Sequence, residues 1–447
     1  MAEIKPLQGY RYNPIKANDL TSVTAPAYDT ADSLDYEKYY HKHKYNIIRL
    51  DAGKEYPTDD SEDNKYSRAK LTLKDWLNNK VLIPEEKPVI YRHQQEYTVN
   101  GEKRIRRGFT CRVKIEPIEK GTVLPHQQTL PEVTEDRLQL ITACNANITP
   151  VLGLYNDAGH KIEEILENAV ERIPDVDFVD DQGITHRMWV VKDEGTINEV
   201  QHSMERYKIF IANGHHQYAA ALKYRQEQRQ ALGITNESSE KPFDYIMMTL
   251  VNLYQPAIEI QPIHRLVKGI KKFNLKKIIN DISEEFDVKE FAVDLNGGNI
   301  DEFLNQAYNR GGFDRGMGID HRRAFGMYAG NGQGFVITLE SESAMDRLMP
   351  REKSLAWQGL DVSVLHTAIL EKILGIDGEK GNGTIDYLRE EKEVLKMVNS
   401  SEYQLSFFMN PVLLDEFSAV AIGGEKMPPK STYFHPKLTS GLVINKF

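Results

Sequence analysis

Cysteine is nearly missing from this chain: Cys111 and Cys144 are the only two in 447 residues. Two thiols cannot brace a protein of this length, so a disulfide framework is excluded and a reducing compartment with two inert core thiols is expected. Long apolar runs are missing as well. Nowhere do eighteen apolar residues follow one another, which excludes a membrane-spanning helix, and the start MAEIKPLQGYRYNP carries no apolar core of a secretory signal. An excess of positive charge is the third absence. Lys and Arg number 56 against 66 Asp and Glu, a formal charge of -10, so no overall field draws the molecule to nucleic acid or to an anionic membrane surface. The longest basic stretch, RIRR at Arg104 to Arg107, reads as a solvated face. A cytoplasmic protein without a nucleic-acid or membrane partner is expected.

What is present is ordinary globular material: 40% hydrophobic and 27% charged residues, with a mean hydropathy of -0.51. The length exceeds what one core usually spans, so two domains or one elaborated domain are expected. No internal repeat is visible. The order of patterns predicts a mixed α/β fold, with a central mixed sheet and a second α+β layer or domain. The composition shifts near Pro262, which places the boundary at 1–265 and 266–447, with a tail (423–447) that packs back near the candidate site.

Local patterns predict particular elements. TAPAYDT, Thr24 to Thr30, is a loop because Pro26 disfavours helix for the residue before it. A helix begins between Asp32 and Tyr40. NIIRL, Asn46 to Leu50, is a short strand, and the acidic run Asp59 to Asp63 is a loop entering a helix that carries Leu71, Leu73, Trp76 and Leu77. From Pro88 two β-rich runs meet across Asn100-Gly101, a pair suited to the positive φ of a tight hairpin. A helix then runs from Thr134, its N-cap, to Asn145, followed by a buried strand in TPVLGLY, Thr149 to Tyr155. Farther on come a lysine-rich helix over Lys271 to Phe286, a strand over Phe286 to Val293, a helix, and two strands around Phe325 to Leu339. Another helix spans Asp361 to Leu374. The tail is too rich in Pro, Gly and Lys for regular structure.

The chemistry-bearing residues fall in four clusters. In RYKIFIANGHHQYAAALKYRQEQRQ a strand over Tyr207 to Ala212 is broken by Gly214 before a helix over Gln217 to Arg229. The first backbone N–H groups of a helix lack internal partners and, with the helix dipole, hold a phosphate or carboxylate. Asn213, Gly214 and Gln217 are therefore candidate ligands of an anion, and His215 and His216 candidate catalytic groups that titrate near neutrality. The alternative is one histidine that caps the turn and one that is merely exposed. PHQQT, Pro125 to Thr129, is a second polar loop with His126. Arg137 nearby either forms a surface pair with Asp136 or faces the anion. His264 and Arg265 form a third cluster. In MPPKSTYFHPK, prolines stiffen a loop in which Lys430, Ser431 and Thr432, together with Lys437, either bind phosphate oxygens or brace a turn that packs Tyr433 and Phe434.

Together, in this order, TAPAYDT, LPHQQT with the Asp-Arg helix, TPVLGLY, IANGHHQYAAALKY, QPIHRLV and MPPKSTYFHPKLTSGLV resemble the domain of unknown function 1015 family over nearly the whole chain. The GHH turn also resembles the phosphate-binding turn of the ParB and sulfiredoxin superfamily, whose free-serine kinases carry Asp-Gly-His-His-Arg, and family members are often encoded beside enzymes that make phosphoserine. The resemblance implies a phosphotransferase acting on a small phosphorylated metabolite, with ADP or ATP and Mg²⁺, and serine or phosphoserine as the other reactant. Asp29 in TAPAYDT is a candidate carboxylate for metal or amino-acid binding. Three departures stand against that pattern: Asn213 replaces a common aspartate, Gln217 an arginine and Gln127 a glutamate. Two acids and a bidentate phosphate clamp are thereby lost. Two other functions stay open, a metal-dependent hydrolase using His126, His215, His216 and Asp29, and a non-catalytic nucleotide- or anion-binding regulator.

Overall fold

A computed structural model describes residues 2–28, 33–99, 101–236, 239–310, 323–339, 342–376 and 383–447. The chain divides into two compact units, one made of 1–125, 129–259 and 436–447, the other of 126–128 and 260–435. The expected boundary after Arg265 thus lies a few residues earlier, and each unit takes a piece from elsewhere in the sequence. The last twelve residues fall in the first unit because their backbone is bonded there. Asn445 pairs antiparallel with Asn147, Phe447 donates to the Asn145 carbonyl at 2.9 Å and Ile444 exchanges bonds with Tyr10.

The first unit is built on a nine-stranded mixed sheet. Its strands are β1 (Ile4–Lys5), β2 (Ile90–Val99), β3 (Glu102–Lys114), β4 (Val123–Pro125), β5 (Val151–Tyr155), β6 (Val176–Val179), β7 (Thr185–Val191), β8 (Ile209–Asn213) and β9 (Tyr245–Asn252). Their spatial order is β4-β8-β5-β9-β3-β2-β7-β6, with β1 beside β3. The pairs β4/β8 and β5/β9 are parallel; the rest are antiparallel. The predicted hairpin is β2/β3: Val99 faces Glu102 and Gly101 has φ 81°, while Asn100 lies outside the described residues. The predicted strand in TPVLGLY is β5, buried throughout.

Three helices of this unit carry or support candidate residues: α1 (Lys65–Asn78), α2 (Pro131–Cys144) and α3 (His215–Ala231). α1 carries the predicted Leu73 and Trp76 into a core with Ile47, Ile48 and Leu50. Those last residues correct the sequence expectation, since NIIRL is not a strand: Ile48–Asp51 is a helical turn. Asn46 decides it, because its side chain accepts the Ile48 N–H at 3.0 Å and donates to the Ser22 and Thr24 carbonyls, a local turn that competes with strand pairing. Thr134 is likewise not an N-cap. α2 starts three residues earlier with Leu130 as cap and Pro131 in its first turn, where the fixed φ of proline is already helical, and Thr134 donates to the Leu130 carbonyl at 3.1 Å.

In the second unit six antiparallel strands follow the order β11-β13-β12-β15-β10-β14, where β10 is His264–Val267, β11 Asp287–Ala292, β12 Arg323–Tyr328, β13 Gln333–Leu339, β14 Ile385–Leu388 and β15 Leu405–Phe408. Helices at Leu275–Ser283 and Ile300–Arg310 stand where helices are expected. The helix expected over Asp361 to Leu374 has α geometry only to Val364 and π geometry over Leu365–Ile373. The tail is less irregular than its composition suggests: Tyr433–His435 and Asn445–Lys446 are short strands. Among the described residues no helix is long and apolar enough to cross a membrane.

Candidate functional site

The strand-turn-helix predicted around Gly214 is present. β8 ends at Asn213, Gly214 takes φ 93° and ψ 28°, and the seventeen-residue α3 begins at His215. Glycine is required here twice over. Its φ lies where a side chain is strained, and a Cβ would come within 2.6 Å of the Gln217 Oε1, 3.0 Å of the Val151 Cγ2 and 3.3 Å of the Val151 Cα. Gly214 and His215 are buried, while Asn213, His216 and Gln217 are half-buried. The Leu130 N–H donates to His216 Nε2 at 3.0 Å. That nitrogen is therefore unprotonated, and a neutral His216 carries its proton on Nδ1.

Gln217 turns inward and donates to the Thr149 carbonyl at 3.2 Å. With Asp51, Arg137, Asn147 and Thr149 it lines a cavity of about 40 Å³. Arg137 also lines a cleft of about 610 Å³ with Tyr28, Tyr36, Lys54, Lys65 and Asp136, within the usual range for a small-molecule pocket. Of the two readings of Arg137, the pair with Asp136 forms, but it is not an exposed one. Arg137 is only 7% exposed, and its Nε donates to Asp136 at 2.8 Å. Nη1 donates to the Asp51 carbonyl at 2.9 Å and lies 3.3 Å from Asp51 Oδ1, while the guanidinium stacks 4.1 Å from the Tyr28 ring. Burial opposes the charge, but Asp51 and Asp136 hold this guanidinium above its ordinary range. Asp51 also accepts from Thr149 and Ser440, each at 2.9 Å, and Asp136 from Tyr66 at 2.8 Å and Lys65 at 2.5 Å. Every oxygen of these two carboxylates is engaged, so they do not fit Mg²⁺. Asp29 lies outside the described residues.

The remaining candidates belong to the second unit. His126 is fully buried, with Nε2 2.7 Å from Thr432 Oγ1 and Phe417 against its ring edge at 4.6 Å. Gln127 donates to the same Thr432 oxygen at 3.0 Å, and the His126 carbonyl accepts from Met427 at 2.7 Å. Ser431 donates to the Pro428 carbonyl at 2.6 Å, which leaves Lys430 exposed at φ 54°. Tyr433 stacks under Arg389 at 4.0 Å, and Phe434 is buried. The proline-braced turn is thus the form this loop takes. Arg265, 1% exposed, donates to the Ile263 carbonyl and to the Lys430 carbonyl at 3.2 Å. With no carboxylate paired to it among the described residues, burial pushes its guanidinium down to about 10. His264 accepts from the Met409 N–H at 3.2 Å, and burial lowers its pKa against the opposing pull of Glu391.

The four motif clusters thus fall partly in the first unit and partly in the second. Residues 4–363 match the protein family described as "Protein of unknown function (DUF1015)". This chain belongs to the DUF1015 family. No curated protein matches it. Solved structures similar to this DUF1015 protein include "Free serine kinase in complex with AMP", at 13% identity over 70% of this chain and 84% of that one, with a TM-score of 0.33. A "Conserved hypothetical protein from Pyrococcus furiosus" is 13% identical over 71% and 89%, TM-score 0.33. "SbnI with C-terminal truncation from Staphylococcus aureus" is 10% identical over 74% and 85%, again at 0.33. All three likenesses are remote.

Sequence reading missed Asp51 and Lys65. Asp51 directly follows the stretch read as strand, and its partner Arg137 is 86 residues away, so no local spacing could have joined them. Asn46, whose side chain accepts the Ile48 N–H just ahead of the turn, was the one available signal.

Proposed function

We propose that this DUF1015 protein is a phosphotransferase acting on a small metabolite, and that it moves a phosphoryl group between an adenine nucleotide and serine or phosphoserine. The observation that carries this reading is the left-handed Gly214 turn, which sets the N-terminus of a long helix beside two histidines. Gln217 lines a small cavity together with Arg137, which also lines an open cleft, and this supports the reading further. Backbone N–H groups at the start of α3 would hold phosphate oxygens. His216, with its proton on Nδ1, would donate to a phosphoryl oxygen. His215 would take the proton as the attacking hydroxyl oxygen bonds to phosphorus and the bond to the leaving oxygen breaks. The cleft would admit the metabolite.

Calorimetric titration of the full chain with AMP, ADP and ATP, alone and with serine or phosphoserine, tests the reading, followed by a turnover assay. Heat with at least one nucleotide and turnover that disappears in His215→Ala and His216→Ala are expected. No heat and no turnover with any pair would sink it.

A second reading, a nucleotide- or anion-binding regulator without catalysis, is favoured by one observation. The side chains at the turn are the amides Asn213 and Gln217, and the nearby carboxylates are consumed by Arg137 and its neighbours. Binding heat without turnover selects it. The metal-dependent hydrolase draws no such support, since among the described residues no three His, Cys, Asp or Glu side chains are grouped to hold a metal ion.

A further inference from the structure

The sheet of the first unit carries a small, mainly apolar cavity with four polar side chains in its lining, which the phosphotransferase reading does not use. It measures about 20 Å³ and is lined by His93 of β2, Thr110 of β3, Thr249 of β9 and Met188 of β7, closed by Leu438, Thr439, Leu442 and Val443 of the C-terminal segment. A single water needs roughly 10–15 Å³ of such space and two to four polar partners. His93 is 6% exposed, yet its Nε2 has no hydrogen-bond partner. A buried polar atom left so forfeits its hydration without compensation, which makes an unpaired nitrogen facing a void an unfavourable arrangement. Across the cavity the Thr110 and Thr249 hydroxyls bond each other at 2.8 Å. Only one hydrogen is used in that bond, so the pair keeps a second hydrogen to donate and lone pairs to accept. Thr439 adds a third hydroxyl, 3.1 Å from His186 Nε2. Burial, with smaller contributions from His186, Arg106 and Arg92, holds His93 neutral, so one of its ring nitrogens is always an acceptor.

We infer that one internal water molecule occupies this cavity, bonded to His93 Nε2, to the Thr110–Thr249 hydroxyl pair and to Thr439. The water completes the polar layer between the sheet and the C-terminal segment. That segment is otherwise tied down by bonds from Gln95 to the Lys437 carbonyl at 3.1 Å and from Ser440 to Asp51 at 2.9 Å. The assignment is independent of the proposed reaction.

A crystal structure of the full chain at a resolution that shows ordered waters tests it directly. A single density peak within hydrogen-bond distance of His93 Nε2 and of at least one threonine hydroxyl is expected. An empty cavity, or a peak with the anomalous signal of a heavier ion, overturns the assignment. His93→Phe gives an opposite sign for the two cases. In a dry cavity it removes an unpaired polar atom and raises the melting temperature; around a bound water it strands the water and lowers it, with His93→Gln losing less. If neither variant folds, the density at the unaltered site still decides.

Discussion

Arg137 in the first unit and Arg265 in the second are both candidate anion ligands by sequence, and both are buried. Their surroundings are opposite. Arg137 is clasped by two carboxylates, Asp51 and Asp136, and is held above the ordinary arginine range. Among the described residues Arg265 is bonded only to backbone carbonyls and lies 5.5 Å from the Tyr387 ring, and burial pushes it down to about 10. The same residue type, singled out for the same reason, thus becomes the hub of an ion-pair network in one place and a backbone clamp for a loop in the other. The contrast shows that a buried cation is defined by its counter-charge and not by its motif.

Removing each arginine is the strongest way to break this contrast. Arg137→Met leaves Asp51 and Asp136 buried without their cation, and denaturant unfolding should report a loss of about 3–5 kcal/mol. Arg265→Met leaves no carboxylate stranded and should cost about 1–3 kcal/mol, because its carbonyls lose a donor. Equal losses would mean that counter-charge does not separate the two sites.

Gly214→Ala probes the first unit from the backbone side. Positive φ costs a non-glycine residue about 1–3 kcal/mol, and the contacts with Val151 add to it. The unfolding midpoint should fall and any nucleotide heat should vanish, whereas retained affinity would detach the turn from binding.

A pH titration sharpens the second unit. Burial, aided by Arg265, lowers His366 to about 3 from an ordinary 6.5. Between those values the unfolded chain binds the proton and the folded chain does not, so this contribution is complete above about pH 6.5 and is lost as the pH falls toward 3. His366→Phe should flatten that part of the stability profile. The smallest change in that limb comes from Arg265→Met, which removes the neighbouring charge, lets the folded-state pKa of His366 rise and should shorten the limb slightly at its acid end. An acid limb unchanged in both variants would exclude His366 as its source.

Much of the fold was legible in the sequence where the signal was local. Asn100-Gly101 marked the β2/β3 hairpin, VLGLY the buried β5, and the break at Gly214 the start of α3. Short apolar runs failed, because NIIRL suits a strand and a buried helical turn equally well and Asn46 settled it by bonding its own backbone. Thr134 failed because Pro131 offered an earlier start. Of the candidate site, the turn and its glycine were readable. The Arg137–Asp51 pair, the His126–Thr432 contact 306 residues apart and the orphaned His93 nitrogen were not.

Composition and local pattern alone therefore settled a disulfide-free α/β protein with a glycine turn at the head of a helix, because φ preferences, periodicity and turn chemistry act within a few residues. Which charges meet, which polar atoms are stranded and which of the last twenty-five residues join which unit were decided only by the packed chain. Burial and counter-charge depend on groups far apart in sequence, and no spacing along the chain encodes them.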